Sequence, residues 1–149
     1  MRKCLAALLL AALTPAYAGE GVFCDGSGAG IEFRMSSNLS HEYLRPLDGG
    51  GATVTISLPN FPSQFRQMSF GAEDLQMLWL DEGVINLRYR AQSPESPNVF
   101  SELLVTTKVT EDWYRGPFIV RLTEEEADGP GSSITEAQGE AKCGADALP

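Results

Sequence analysis

The chain has 149 residues, 20 acidic against 11 basic side chains, and a formal net charge of −9 at neutral pH. Such an acidic surface repels the phosphate backbone of nucleic acids and anionic lipid headgroups, which removes both from the expected partners. The length is enough for one hydrophobic core but not for two, so we expect a single folded domain.

The first 18 residues have the layout of a cleaved secretory signal peptide. Arg2 and Lys3 form a short positive segment, residues 5–13 are an unbroken apolar run, and residues 16–18 place small side chains at the cleavage positions. The apolar run of nine residues is less than half of the about 20 residues that a membrane-spanning helix needs. We therefore predict export with cleavage at the end of this segment and no stable membrane insertion.

The predicted mature protein is residues 19–149, a single β domain located in the periplasm or outside the cell. Neither Cys4 nor Cys24 directly follows the apolar run, as the acylated cysteine of a lipoprotein would, so we expect no lipid. Loss of Arg2 and Lys3 would change the formal net charge to −11. We interpret this acidity as a means of keeping the domain soluble.

Two cysteines remain after cleavage, Cys24 and Cys143, near opposite ends of the mature chain. Exported proteins fold in an oxidising compartment, where an even pair of cysteines forms a disulfide. A redox or metal-binding pair is less favoured because the chain has no Cys-x-x-Cys motif and a single histidine. We therefore predict a Cys24–Cys143 disulfide that closes a loop of about 120 residues and contributes about 4–5 kcal/mol to stability.

Residues 24–30 read CDGSGAG, a glycine-rich stretch that invites comparison with a phosphate-binding loop. A dinucleotide fingerprint needs G-x-G-x-x-G, and the last spacing is wrong here because position 31 is isoleucine. The Gly-Lys-Ser/Thr of a nucleotide-binding P-loop is also missing. We therefore predict that these glycines form a flexible hairpin connection.

Apolar and polar side chains alternate through most of the remaining chain. This period of two is typical of half-buried β-strands, and no long segment has the 3.6-residue period of a helix. Residues 71–80 fit either a short helix or a strand, and we favour a strand because residues 81–83 then form a short hairpin loop. The alternating segments are residues 31–35, 53–58, 85–90, 102–109, 118–122 and 135–143.

The last alternating segment places the second cysteine on the buried face. In residues 135–143, three small side chains share a face with Cys143, and polar or charged side chains occupy the other face. The bond to Cys24 then requires the first and last strands to be neighbours. We predict an all-β domain of seven to eight short antiparallel strands, a small antiparallel β-barrel or a barrel-like sandwich, with first and last strands adjacent and disulfide-linked.

A run of four carboxylates is the candidate cation site, formed by Glu124, Glu125, Glu126 and Asp128. The run lacks the spaced Asp/Asn pattern of known calcium loops, so a solvated turn is the favoured interpretation. We predict neither a resident metal nor a cofactor for the domain.

Trp113, Tyr114 and Arg115 are the candidate partner contact. They follow Asp112 at a predicted turn, and aromatic and arginine side chains dominate the binding energy of many protein interfaces. The alternative is that Trp113 covers one end of the core.

These observations favour a non-catalytic binding or accessory module whose partner is a protein or a small-molecule ligand. One alternative is a small hydrolytic enzyme that uses His41 with a nearby serine or carboxylate, although the chain has no G-x-S-x-G motif. A second alternative is a purely structural envelope protein. A hollow interior would favour a small-molecule ligand, whereas a filled interior would favour a protein partner bound at the surface.

Overall fold

The computed structural model describes residues 21–38, 50–81, 83–126, 129 and 131–145. The predicted signal peptide lies outside the described residues. Within these residues, no helix has the length and hydropathy needed to cross a membrane. The described chain forms two 3-10 helices, Ser63–Phe65 and Ala72–Asp74, and nine strands: β1 Gly21–Gly28, β2 Ile31–Asn38, β3 Gly51–Ile56, β4 Gln67–Phe70, β5 Leu75–Asp81, β6 Val84–Gln92, β7 Val99–Thr110, β8 Trp113–Glu125 and β9 Ser132–Ala145.

The nine strands form one antiparallel sheet in the order β4-β3-β2-β1-β9-β8-β7-β6-β5, curled into a half-barrel. The all-β class and the pairing of the first strand with the last are thus confirmed. The predicted number of seven to eight strands is wrong, because the described chain forms nine. Among the strands that the structure describes, the sheet is also not hydrogen-bonded into a closed barrel, since β4 and β5 form its two edges.

Strand β4 accounts for the error in the strand count. Its four residues bury two side chains, Met68 and Phe70, which is too short an alternation to recognise in the sequence. The strand predicted over residues 71–80 is real but begins later, at Leu75, after a 3-10 turn. It pairs with β6 through the expected short hairpin, where Gly83 has the positive φ of 86° that this turn requires.

The two free edges belong to consecutive strands that run in the same direction, because every step around the sheet is antiparallel. Residues 71–74 therefore lead from one edge strand of the half-barrel to the other, and the chain runs in the same direction before and after them. Asp74 stabilises this connecting segment, because its carboxylate accepts a hydrogen bond from the Gly71 N–H at 2.8 Å. Beside it, the Phe70 and Tyr89 rings pack across the gap with centroids 5.7 Å apart.

The buried apolar side chains lie on the inner face of the curled sheet and fill its interior. Small residues of β1 and β9 leave room for larger rings from both sides. Phe33 of β2 and Phe118 of β8 meet over them with ring centroids 4.6 Å apart. A Cβ atom at Gly26 would overlap the Phe33 ring, and one at Gly139 would press on Phe118.

The glycine-rich stretch therefore has a packing function over most of its length. Gly26 and Gly28 belong to strand β1, so the prediction of a flexible connection is wrong for them. It is right for the turn itself, where Gly30 adopts a positive φ of 79°. No helix follows the stretch, because the chain enters β2 at Ile31. The geometry of a phosphate-binding loop is therefore not formed.

Candidate functional site

The predicted disulfide is confirmed at the centre of the sheet. Cys24 and Cys143 are directly opposite each other in the β1–β9 ladder, with Cα atoms 4.1 Å apart and an S–S distance of 2.03 Å. Both side chains are buried on the inner face. The bond therefore fixes which residues of β1 and β9 stand side by side on the opposite, outer face.

Strand alternation divides the candidate contact residues between the two faces of the sheet. They open strand β8 directly after a turn at Glu111 and Asp112. Tyr114 stands opposite Cys143 and packs, partly buried, against the core. Trp113 and Arg115 therefore point outward. The structure brings these two together and places Tyr114 elsewhere.

The outer face carries an aromatic row formed by Phe23, Gly144 and Trp113 on strands β1, β9 and β8. Phe23 is paired with Gly144, and a Cβ atom at Gly144 would overlap the Phe23 ring. Because the glycine has no side chain, the Phe23 and Trp113 rings meet above it edge-to-face, with centroids 6.0 Å apart. Two aromatic rings are thus held together on the water-facing side of the sheet.

A charged row lies beside the aromatic row, two residues further along each strand. It consists of Arg34, Asp25, Lys142 and Arg115, which follow one another across β2, β1, β9 and β8. The Arg34 Nε atom lies 3.7 Å from the Asp25 Oδ1 atom. The Lys142 Nζ atom lies 3.5 Å from the centroid of the Trp113 ring, a cation–π contact that links the two rows.

A groove of about 680 Å³ runs along the outer face over the charged row. Its far side is acidic, because Glu32 and Glu140 flank Ser27 in the next cross-strand row. The face therefore changes within three rows from aromatic to mainly basic to acidic. Such a pattern can align a partner of complementary charge and an apolar contact in one orientation.

The other ionic cluster of the outer face is structural in character. Glu102 is only 5% exposed and lies between Arg88 and Arg121. Arg121 also binds Glu136 through its Nε atom, at 2.6 Å from the carboxylate oxygen. The chain of four side chains crosses β6, β7, β8 and β9, so it connects four strands of the sheet.

The acidic run is only partly described. Glu124 and Glu125 end strand β8 and stand opposite Ser133 and Ser132, and Asp128 lies outside the described residues. Glu124, Glu125 and Glu126 line one open cavity together with Asn98, Ser132 and Ser133. In the described part of the chain, no group of three or more His, Cys, Asp or Glu side chains could hold a metal ion.

The proposed catalytic histidine, His41, also lies outside the described residues, as does Ser40. Of its serine neighbours in sequence, Ser37 belongs to β2 and is 2% exposed. The hydrolase hypothesis therefore gains no support from the described geometry.

The sequence analysis identified neither Phe23 nor Lys142, the two residues that contact the Trp113 ring on the outer face. They are far apart in sequence and become neighbours of Trp113 only through the β1–β9 and β8–β9 pairings. The predicted disulfide already contained the necessary information. A direct Cys24–Cys143 pair places Phe23 beside Gly144 and brings Lys142 next to Asp25.

Similarity to known proteins adds nothing to this description. The chain matches no protein-family model, no curated protein and no solved structure. The function is therefore argued from the chemistry of the outer face, namely its aromatic row, its charged row and the groove between charged side chains of both signs.

Proposed function

We propose that this protein is exported from the cell and acts there as a non-catalytic binding module for another protein. The filled interior supports a macromolecular partner over a small ligand, because small-molecule sites are concave and enclosed. The Phe33 and Phe118 rings occupy the space that a ligand would need between β2 and β8. Binding is therefore assigned to the surface of the sheet.

The observation that carries this proposal is the aromatic pair of the outer face, in which Phe23 is exposed and Trp113 is half-buried. Phe23 is 37% exposed on the outer face. Trp113 holds it in a fixed edge-to-face geometry, so little side-chain entropy remains to be lost on binding. Rigid aromatic side chains of this kind dominate the binding energy of protein interfaces.

The charged row supports a partner with acidic side chains next to an apolar one. Arg115 and Lys142 supply positive charge beside the aromatic rings, in a chain whose formal net charge is −9. A local positive strip on an acidic protein favours one approach direction and weakens as salt is added. The acidic row beyond it disfavours a partner that is acidic throughout.

The disulfide and the predicted signal peptide support the exported location. A buried bond between residues 119 positions apart persists in an oxidising compartment and is rare in the reducing cytosol. We therefore propose that the partner is a periplasmic or secreted protein, or the exposed part of an envelope protein.

Site-specific photo-crosslinking in the producing cell tests the proposal. A photoreactive side chain at position 115, in the charged row, should capture a distinct protein. The control is position 133, where Ser133 is exposed at the far end of β9, away from the charged row. Capture of one species from position 115 and not from position 133 supports the proposal. Equal capture from both positions, or from neither, contradicts it.

A further inference from the structure

The charged row of the outer face continues onto strand β7. Lys108 stands directly opposite Arg115 in the β7–β8 ladder, and Arg115 stands opposite Lys142 in the β8–β9 ladder. Lys108 and Arg115 are exposed and Lys142 is half-buried, and strand alternation turns all three outward. We call these three residues the basic triplet. It places three positive charges side by side on β9, β8 and β7, across about 10 Å of the sheet.

The basic triplet is electrostatically unfavourable in the free protein. Like charges that stand directly opposite each other on neighbouring strands repel, which destabilises the pair. In the described part of the chain, none of the three cations forms a salt bridge. Asp25 stands opposite Lys142, yet its salt bridge is with Arg34. The charge of the triplet is therefore left for a group outside the protein to neutralise.

The other ionic cluster of the outer face has the opposite arrangement. Its side chains alternate in sign from strand to strand: Arg88, Glu102, Arg121 and Glu136. Each charge of that cluster therefore has a neighbour of the other sign, as a cluster that holds strands together requires. The like charges of the basic triplet cannot serve that purpose. Their position beside Trp113 connects them with binding instead.

We propose that the basic triplet binds an acidic segment of the partner protein, whose carboxylates lie across strands β9, β8 and β7. This inference rests on the proposed function and specifies which part of the partner meets the charged row. The three strands have hydrogen-bonded neighbours on both sides, so they offer no free edge to an added strand. The segment is therefore recognised by its side chains, through charge-assisted hydrogen bonds from two lysines and one arginine.

The neighbours of the basic triplet favour a peptide over a polymer that is anionic throughout. On one side lies Trp113, whose ring Lys142 contacts, and on the other side lies Glu140, two residues before Lys142 on β9. A peptide can present carboxylates to the triplet, an apolar side chain to Trp113 and a neutral or basic one to Glu140. A uniformly anionic polymer, such as an acidic polysaccharide, would bring its remaining charges against Glu140 and the acidic surface of the protein.

NMR titration of the isotope-labelled protein tests the inference with three defined probes. They are a short peptide in which a run of glutamates follows a leucine, the same peptide with glutamines in place of the glutamates, and polygalacturonate. The amide signals of Lys108, Arg115 and Lys142 should shift with the glutamate peptide and stay in place with its glutamine form. Absence of shifts with the glutamate peptide overturns the inference. Tighter binding of polygalacturonate than of the peptide at these residues also overturns it, in favour of a polysaccharide.

Lys108→Gln tests whether the triplet serves binding rather than folding. It should weaken the glutamate peptide about twofold to fivefold, and its midpoint of urea unfolding should be unchanged or higher, because the substitution removes a repulsion. The matched control is Gln138→Glu, which lowers the net charge by the same amount at an exposed side chain opposite Ile119. The control should bind as the wild type does. Equal weakening by both variants, or a lower unfolding midpoint of Lys108→Gln, overturns the inference.

The protein captured from position 115 distinguishes failure of this inference from failure of the proposed function. Weaker binding of that protein to Lys108→Gln, with a smaller dependence on salt than the wild type has, supports the inference. If the captured protein loses affinity for Trp113→Ala but binds Lys108→Gln as tightly as the wild type, the inference is overturned and the proposed function stands. Equal capture from positions 115 and 133 instead contradicts the proposed function itself.

Discussion

Cys24 and Cys143 face each other across the ladder that joins the first strand to the last, and this pairing orders the residues on both faces of the sheet. On the inner face, the bond lies among the small side chains that make room for Phe33 and Phe118. On the outer face, the same register places Phe23 above Gly144, within reach of Trp113.

Loss of the disulfide should strongly destabilise the fold. Cys143→Ser removes a constraint on the unfolded chain between residues 119 positions apart, and we expect the free energy of unfolding to fall by about 2–5 kcal/mol. Urea denaturation without reductant measures the change, because a reductant would also open the wild-type bond. The double variant that also carries Cys24→Ser should match the single variant. Wild-type stability in both would show that the bond contributes nothing.

Gly26→Ala should destabilise the core by overpacking. The added methyl group would overlap the Phe33 ring and press on Phe118, and these two rings pack against each other with centroids 4.6 Å apart. We expect a loss of about 1–3 kcal/mol. Ser27→Ala, at the neighbouring position on the outer face, is the control and should change stability by less than about 0.5 kcal/mol. Equal stability of both variants would mean that the inner face has room to spare.

Tyr89→Phe should reveal a pH-dependent contribution of a buried hydroxyl. Burial, and secondarily the Asp74 carboxylate, raise the pKa of Tyr89 to about 12 from its usual 10. Between these values the unfolded chain releases the proton while the folded protein keeps it, so stability is full below pH 10 and falls as pH rises towards 12. The variant lacks this loss.

The measurement is the difference in unfolding free energy between Tyr89→Phe and the wild type as a function of pH. At neutral pH the two should differ by less than about 1 kcal/mol, because the described residues give this hydroxyl no hydrogen-bond partner. The advantage of the variant should then grow by about 2–3 kcal/mol up to pH 12. A difference that stays constant with pH would contradict the raised pKa.

Glu102→Gln should cost more stability than removal of an exposed carboxylate. Glu102 is buried between Arg88 and Arg121, so the substitution leaves two guanidinium groups with a neutral neighbour. We expect a loss of about 1–3 kcal/mol. In the control, Asp25→Asn, the partner Arg34 remains in water, and the change should stay below about 1 kcal/mol. A larger effect of the control in urea denaturation would refute this ranking.

Much of the fold could be predicted from the sequence because the long strands alternate over five or more residues. Strands β3 and β6 bury every second side chain, β7 and β9 do so over part of their length, and that pattern is visible without a structure. Strand β4 could not be recognised, because two buried residues do not distinguish a strand from a loop. Strands β4 and β5 are separated by the 3-10 helix Ala72–Asp74. A helix of three residues is too short to produce a recognisable period in the sequence.

The candidate site could be predicted only in its local part. Trp113 and Arg115 stand two residues apart and share a face once β8 is known to be a strand. Phe23 and Lys142 belong to the site through long-range pairing, which no local pattern contains. Tyr114 was included because it is adjacent in sequence, yet a strand turns adjacent side chains to opposite faces.

The most direct test of the proposed function is the affinity of the protein captured from position 115 for three forms of the domain. Trp113→Ala should weaken binding by at least about tenfold, because it removes the aromatic contact and the support for Lys142. Ile134→Ala, an equally outward apolar truncation on β9, should bind as the wild type does. Unchanged affinity of Trp113→Ala, with both variants equally stable in urea, would contradict the assignment of binding to this face.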